Sequence, residues 1–298
     1  MKPMRLSVAM VAAAALLGLS AVSASAECRL RVDTPISSWS IRSYDPLGDD
    51  VAYGEFELTL DNDGDTACQG VVRAELLGEP WGLRAGRGGR AIPYRLVDLQ
   101  SGRELTPRSG QTRPTIAGEI EVAPGSRITR RVALSIEPAL VNTHGQFQQT
   151  VSFLFQDKTL MDVARRDVLL ELDSVASATV TLAGAVARGA AGRVNLGDLS
   201  PGRVDVPLQL QVRSTGGYEV GVSSQNAGRL MLDDTGWAID YGMVLNGERV
   251  SLAEPTSVRV AGQSARSDIY RLAFDIGEVA GRRAGEYSDV ITVTVAPL

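Results

Sequence analysis

Few residues of this chain have the types and spacing that chemistry requires. Cys28 and Cys68 are its only cysteines, and His144 is its only histidine. Two cysteines and one distant histidine are too few ligands for a zinc site. In a chain exported to an oxidising compartment, an even number of cysteines is most simply explained by a disulfide, with free thiols as the alternative. We therefore predict a Cys28–Cys68 bridge.

Catalytic and metal-binding patterns are otherwise missing from the sequence. His144 has no acid or nucleophile at a suitable spacing, so a solvated turn residue is favoured over a general base. Residues 61–65 have the composition of a calcium loop, but the twelfth position is Val72, where a bidentate glutamate is required, so a turn is favoured. No nucleophile elbow, phosphate loop or zinc spacing occurs. We predict a protein that is not an enzyme and that uses no metal and no cofactor.

The first 26 residues have the pattern of a secretory signal peptide. Lys2 and Arg5 precede an apolar run at residues 6–19, which is too short for a lasting membrane anchor, and small residues end at Ala26. We predict cleavage there, so that an exported mature chain begins at Glu27. The net charge changes from −5 to −7 when the two basic residues of this segment are removed, which argues against nucleic acid as a partner.

Part of the chain is repeated. The matching segments are residues 56–64 with 208–216, 89–96 with 236–243, and 131–155 with 271–295, the last pair without a gap. A period of about 140 residues is far above the 20 to 50 of solenoid repeats, so each copy is expected to have its own core. The sequence therefore predicts two similar domains that follow one another.

Apolar and polar residues alternate in many short segments, as strands with one exposed face require. Examples are residues 56–60, 132–136, 151–155, 208–212 and 291–295. The fold class is therefore all-β, and two tandem immunoglobulin-like β-sandwich domains are favoured over closed barrels. The predicted domains are residues 27–157 and 179–298. A linker at residues 158–178 joins them, and its part up to residue 166 is either a short helix or extended.

The two copies differ after their last alternating strand. Strand-like sequence at residues 168–172 follows the first copy and is available to complete it, whereas the second copy reaches Leu298 directly after its strand. We predict that the second sandwich lacks its final strand. An incomplete sheet leaves unpaired backbone groups beside an open apolar groove, and a strand from another chain can satisfy both.

The ends of both copies, residues 145–151 and 285–295, resemble the closing strand of the spore coat protein U domain family. Further matching positions are residues 92–94 and 239–241 and the turns at Gly102 and Gly247. This family is similar to the secreted pilins of archaic chaperone-usher pili. The resemblance implies a missing strand that is supplied first by a periplasmic chaperone and then by the adjacent pilin subunit, with an outer-membrane usher as a further partner.

The resemblance also implies an accepting edge in the last strand. This edge is formed by Tyr287, Ile291, Val293 and Val295, and an ordinary buried strand is the alternative. A bridged Cys28 would leave the mature chain no free N-terminal strand to donate. A chain that accepts but does not donate a strand suits the tip of a pilus on the cell surface, so we predict a two-domain tip adhesin.

The first domain has a candidate adhesive loop. An apolar stretch interrupted by proline and glycine at residues 76–83 is followed by an arginine-rich stretch at residues 84–90. Exposed apolar or basic loops bind surfaces or anionic polymers. The candidate contact residues are Leu77, Pro80, Trp81, Leu83, Arg84 and Arg87, with Trp39 as a weaker candidate. The alternative is that Trp81 packs in the core and the arginines are merely solvated.

A different class of function stays open. Two complete sandwiches would make a self-contained secreted or periplasmic protein that binds carbohydrate or the cell envelope. That function requires a final strand for the second domain from within the chain. The candidate for such a strand is the alternating segment at residues 179–182.

Overall fold

The computed structural model describes residues 27–86, 89–108, 119–184, 187–188 and 191–298, so the predicted signal peptide and Arg87 lie outside it. The alternating segments of the first copy form strands β1 (Leu30–Asp33), β2 (Ser38–Tyr44), β3 (Ala52–Asn62), β4 (Cys68–Glu75), β5 (Arg95–Asp98), β6 (Arg103–Glu104), β7 (Ile120–Val122), β8 (Arg127–Ile136), β9 (Gly145–Asp157) and β10 (Asp162–Ser174). They build two sheets, in the orders β1-β3-β8-β5-β6 and β2-β10-β9-β4-β7. The side chains that face inward from both sheets form one core.

The second copy forms a second pair of sheets. Its strands are β11 (Ala178–Gly184), β12 (Ala187–Arg188), β13 (Ala191–Gly192), β14 (Gly202–Ser214), β15 (Tyr218–Ser224), β16 (Arg229–Met231), β17 (Ala238–Leu245), β18 (Glu248–Val250), β19 (Thr256–Val260), β20 (Arg266–Ile276) and β21 (Ile291–Pro297). The sheet orders are β11-β14-β20-β17-β16, with β18 on β17, and β19-β15-β21; β12 and β13 pair separately. A second core, distinct from the first, lies between these sheets.

The prediction of an all-β fold with immunoglobulin-like sandwiches is confirmed. The only helical turns among the described residues are two short 3₁₀ segments, Pro138–Leu140 and Asp233–Thr235. The helical alternative for residues 158–166 is wrong, because these residues form a hairpin turn and the start of β10. No helix in the described part of the chain is long and apolar enough to cross a membrane.

Strand β10 completes the first sandwich. It pairs antiparallel with β9, where Val168 lies opposite Val151, and parallel with β2, where Leu170 lies opposite Trp39. The inward-facing side chains of β10, at Val168, Leu170 and Leu172, are fully buried. Most of the segment that the sequence assigned to a linker is therefore a central strand.

The junction between the two sandwiches is short and forms a backbone hydrogen bond with each of them. The Val175 N–H donates to the Tyr44 carbonyl at 2.9 Å, and the Thr215 N–H donates to the Ser177 carbonyl at 3.0 Å. The His144 Nδ1 atom lies 3.3 Å from the carbonyl oxygen of Thr215. The preference for a solvated His144 is therefore corrected, since this side chain is half-buried in a contact between the two sandwiches.

The predicted Cys28–Cys68 disulfide is present, with the two Cα atoms 5.2 Å apart. Cys68 is fully buried at the start of β4, so the bridge ties the beginning of the described chain to the first core. The chain passes tightly at this point, because a Cβ atom at Gly64 would overlap the backbone of Glu27. Residues 27 and 28 are thus held against the first sandwich.

Removing this bridge should destabilise the first sandwich alone. Reduction is expected to lower its free energy of unfolding by about 4 kcal/mol, because the bridge restricts the unfolded chain over a separation of 40 residues. Calorimetry with and without reductant measures the effect. The second sandwich contains no cysteine and is the internal control. A shift of both transitions by the same amount would contradict the assignment.

Candidate functional site

The last strands of the two copies have different neighbours. In the first sandwich β9 is paired on both sides, with β10 and with β4. Its counterpart β21 pairs with β15 on one side. Within the described residues no strand pairs with the other edge of β21. That edge therefore presents a row of backbone N–H and C=O groups without ladder partners.

The inward-facing side chains of β9 are also more deeply buried than those of β21. The inward-facing Val151, Phe153 and Phe155 of β9 are fully buried. The residues 140 positions later are Ile291, Val293 and Val295, and each packs against the second core while staying partly exposed. Tyr287, the fourth residue of the predicted accepting edge, is likewise half-buried on this core. The predicted edge residues therefore share one apolar and incompletely covered face.

A segment that corresponds to β2 packs against the second core. In β2 the core-facing residues are Trp39, Ile41 and Tyr44. The same spacing recurs at Val194, Leu196 and Leu199, which pack half-buried against the second core. Residues 193–199 nevertheless belong to no strand. In the first sandwich β2 pairs with β10, whereas residues 193–199 pair with no strand in the described part of the chain.

The two sandwiches differ in what lies beside their last strands. In the first sandwich β1 lies beside β10, whereas its counterpart β11 lies directly beside β21 without pairing with it. The Arg193 guanidinium contacts the Glu286 carboxylate at 3.0 Å, so the segment before Val194 lies next to the segment before Tyr287.

A polar cluster anchors the chain just before β21. Asp289 accepts hydrogen bonds from the Ser224 hydroxyl, the Tyr241 hydroxyl at 2.6 Å and the Asn226 N–H at 3.0 Å. The Val290 N–H donates to the same carboxylate at 2.7 Å. Burial raises the pKa of Tyr241, and its hydrogen bond to Asp289 raises this pKa further. The carboxylate thus fixes the start of β21 at the mouth of the groove.

The first sandwich contains the equivalent arrangement in neutral form. The Tyr94 hydroxyl donates to Gln149 Oε1 at 3.0 Å, and burial raises the pKa of Tyr94. Gln149 also accepts from the Gly82 N–H at 3.0 Å and donates to the Pro80 carbonyl at 2.8 Å. The two copies therefore keep a tyrosine contact at this position and differ in the charge of its partner.

The residues of the predicted adhesive loop differ in exposure, since some lie on the surface and others in the core. Leu77 is 56% exposed, and Pro80 is exposed as well. Trp81 is half-buried, with its ring 6.0 Å from that of Tyr94 and the Arg108 guanidinium 5.4 Å above it. Leu83 is fully buried and hydrogen-bonded to Ile92, so it presents no side chain to a ligand.

Of the remaining predicted contact residues, Arg87 lies outside the described residues, and Arg84 is half-buried on the first sandwich. The Arg84 backbone pairs with Gln148 near the beginning of β9, which is the end of the strand that faces the second sandwich. The weaker candidate Trp39 is wrong as a surface residue, because it is fully buried and stacked on Phe56 at 5.0 Å. A binding role for the exposed part of the loop stays a prediction.

Two exposed apolar residues at the opposite pole of the first sandwich were not predicted from the sequence. Leu160 and Met161 are 60% and 66% exposed at the tip of the β9–β10 hairpin. This tip lies at the end of the first sandwich that is distant from the junction. The sequence does contain a signal, which is a pair of large apolar residues between the polar residues of a turn. A short helix was one interpretation of this segment, and a helix would not have exposed both residues at a tip.

Matched substitutions in β9 and β21 test the difference in burial. Val151→Ala should lower the free energy of unfolding of the first sandwich by about 1–3 kcal/mol, as expected for a buried aliphatic side chain. Ile291→Ala removes more atoms, yet it should cost at most about 1 kcal/mol, because Ile291 is already partly hydrated. Urea unfolding measures both. An equal or larger loss for Ile291→Ala in the free protein would mean that β21 is already covered.

Known proteins are similar to this chain in fold and not in sequence. No family model matches the chain, and no curated protein matches it in sequence. A chain of the CsuC–CsuE chaperone–tip adhesion subunit pre-assembly complex, from archaic chaperone-usher Csu pili of Acinetobacter baumannii, is similar with a TM-score of 0.50 at 12% identity. The match covers 89% of this chain and 99% of that one.

Two further structures are similar at lower scores. The CupB6 tip adhesin from Pseudomonas aeruginosa has a TM-score of 0.41 at 12% identity, covering 90% of this chain and 93% of that chain. CfaE, the adhesive subunit of CFA/I fimbria of enterotoxigenic Escherichia coli, has a TM-score of 0.33 at 13% identity, covering 90% and 81%. The chain has a pilin-like fold similar to that of pilus adhesins, while membership of the spore coat protein U family stays a prediction.

Proposed function

We propose that the chain is a structural and adhesive subunit of an archaic chaperone-usher pilus, and that a strand from another polypeptide completes its second sandwich. The observation that carries this proposal is the contrast between β9, which is paired on both edges, and β21, which is paired on one. Both strands come from the same repeated sequence. The first sandwich therefore serves as an internal example of the completed state.

The expected energy of this completion is large. The incoming strand would pair with the free backbone groups of β21 and cover the half-exposed faces of Ile291, Val293 and Val295. Four inward-facing side chains at about 1.5–3 kcal/mol each would contribute roughly 6–12 kcal/mol before ordering costs. That gain is enough to join subunits in a fibre.

The unpaired edge of β21 indicates which partners the subunit would have. A periplasmic chaperone would cover β21 during transit, and the adjacent pilin would replace it at an outer-membrane usher. The similarity of the fold to a chain of the Csu pre-assembly complex supports a chaperone and a pilin as partners. The subunit would pass through the periplasm and reach the cell surface. Its role would be binding rather than catalysis, without nucleic acid.

A position at the pilus tip is the finer part of the proposal. Cys28 is bonded to Cys68, so cleavage after Ala26 would leave only Glu27 ahead of the bonded residue. Such a subunit would have no strand to donate. The first sandwich already contains β10 and would be the exposed adhesive domain. N-terminal sequencing of the mature protein tests this position, since a longer free extension would make the subunit a repeating one.

The alternative of a self-contained binding protein loses its main support. It required residues 179–182 to supply the final strand of the second sandwich. These residues lie in β11, which pairs with β14 in the opposite sheet. We therefore keep strand acceptance as the single proposed mechanism.

Co-expression with the periplasmic chaperones of the source bacterium tests the proposal. The tagged mature chain should co-purify with a chaperone, and Val293→Asp should abolish the complex because it places a charge in the groove. Ile269→Asp is the matched control, since Ile269 is an exposed apolar residue of β20 away from the edge. A free monomer that melts cooperatively at high temperature and never co-purifies with a chaperone would overturn the proposal.

A further inference from the structure

The groove of the second sandwich differs in charge from its completed counterpart. Gln149 lies beside β10 in the same sheet of the first sandwich, and Asp289 occupies the corresponding position 140 residues later. Their neighbours correspond as well, because the isolated backbone pair of Arg84 with Gln148 recurs as that of Met231 with Ser288. The correspondence between Gln149 and Asp289 is thus structural as well as sequential.

Pairing in the first sandwich shows what a seated strand places over this position. In β10, Val168 lies opposite Val151, Leu170 opposite Gln149, and Leu172 opposite Phe147. A strand seated in the same way in the second groove would present three successive inward-facing side chains to Ile291, Asp289 and Tyr287. Its middle side chain would therefore lie next to the Asp289 carboxylate on the same face of the sheet.

This carboxylate is a poor partner for an aliphatic side chain. Its four hydrogen-bond donors are two hydroxyls and two backbone N–H groups, all of them neutral. No Lys or Arg in the described part of the chain forms an ion pair with Asp289. A leucine beside it would remove the charge from water without neutralising it, which is costly. In the first sandwich the neutral Gln149, next to Leu170, is only 3% exposed.

We infer that Asp289 selects the strand that the second sandwich accepts, favouring a positively charged or hydrogen-bond-donating side chain opposite the carboxylate and aliphatic side chains two residues to either side. This inference rests on the proposed function. A second copy of the chain would offer β10, which carries Leu170 at the selected position. Asp289 therefore also works against exchange of β10 between copies, since specificity includes rejection of the wrong partner.

Three peptides based on residues 162–174 test the inference against the mature chain. They are the unchanged sequence, a Leu170→Lys peptide and a Leu169→Lys peptide. Leu169 faces away from the core in β10, so the third peptide carries the same charge on the outer side of the strand. We expect the Leu170→Lys peptide to bind at least about tenfold more tightly than the other two in isothermal titration calorimetry, which corresponds to about 1.4 kcal/mol.

A substitution at position 289 of the mature chain tests the same contact from the other side. Asp289→Gln reproduces the residue of the first sandwich and should remove the advantage of the Leu170→Lys peptide. Equal binding of the two lysine peptides to the unchanged protein would overturn the inference and leave strand acceptance intact. Absence of binding by every peptide would overturn the proposed function itself. The ranking on the unchanged protein decides the inference even if the Asp289→Gln variant does not fold.

Discussion

Joining residues 158–174 to the chain directly after Pro297 is expected to raise the Tm of the second sandwich by about 10 °C, since each kcal/mol shifts a small domain by roughly 4–8 °C. Pro297 corresponds to Asp157, where β9 enters the hairpin that leads to β10. The added segment therefore has the length and direction needed to fold back along β21. Calorimetry of the two transitions measures the effect.

The expected gain comes from burial and backbone pairing together. Three side chains of the added strand, matching Val168, Leu170 and Leu172, would face inward. Burial of each would contribute about 1.5–3 kcal/mol to the stability of the second sandwich. Ordering the added residues cancels much of this gain. A net stabilisation of about 2 kcal/mol suffices for the stated shift. Changing the residue that corresponds to Leu170 to lysine should raise the Tm further if Asp289 selects the strand.

A length-matched graft separates this effect from simple extension. In the control, aspartates replace the residues that correspond to Val168 and Leu172, so the strand can pair but cannot fill the groove. This graft should leave the Tm of the second sandwich unchanged. The first sandwich should keep its own transition in both grafts. Identical behaviour of the two grafts would show that no apolar groove receives the strand.

Leu170→Ala is expected to be among the most damaging single changes in the first sandwich. Leu170 is fully buried between the sheets, and truncation of a buried leucine costs about 2–5 kcal/mol. Because β10 is the strand that completes this sandwich, the loss should lower the first transition and leave the second in place. Urea unfolding and calorimetry both measure this difference.

The neighbouring residue supplies the control for that prediction. Leu169→Ala changes the same residue type one position earlier, on the outer face of β10. It should cost less than about 1 kcal/mol, as expected for a partly exposed position. Similar losses for the two variants would mean that β10 does not sit in the first sandwich with the described register.

The apolar face shared by Ile291, Val293 and Val295 was predictable because its evidence is local. Alternation in residues 285–295 identifies which side chains share a face, and the copy at residues 145–155 supplies the comparison. The same alternation could not reveal that residues 193–199 pack on the second core at the position that corresponds to β2. Their counterpart β2 pairs with β10, a strand more than 120 positions further along the chain, and sequence periodicity contains no information about such distant partners.

The exposure of the candidate adhesive residues was harder to predict because burial depends on packing against distant residues. Leu83 and Trp39 occur in short apolar segments beside polar residues, as surface loops often do. Leu83 is nevertheless held by Ile92, and Trp39 stacks on Phe56. Leu160 and Met161 are exposed because the β9–β10 hairpin projects beyond the sheets. Composition alone does not separate these cases.

The sequence by itself determined the all-β class, the repeat of residues 131–155 at 271–295 and the disulfide, because each follows from residue types and short-range order. Only the tertiary structure decided that β10 completes the first sandwich, that β21 pairs on one edge within the described residues, and that residues 193–199 pack on the second core outside any strand. The reason is that strand neighbours are chosen by packing between segments far apart in the chain, which alternation along one strand does not encode.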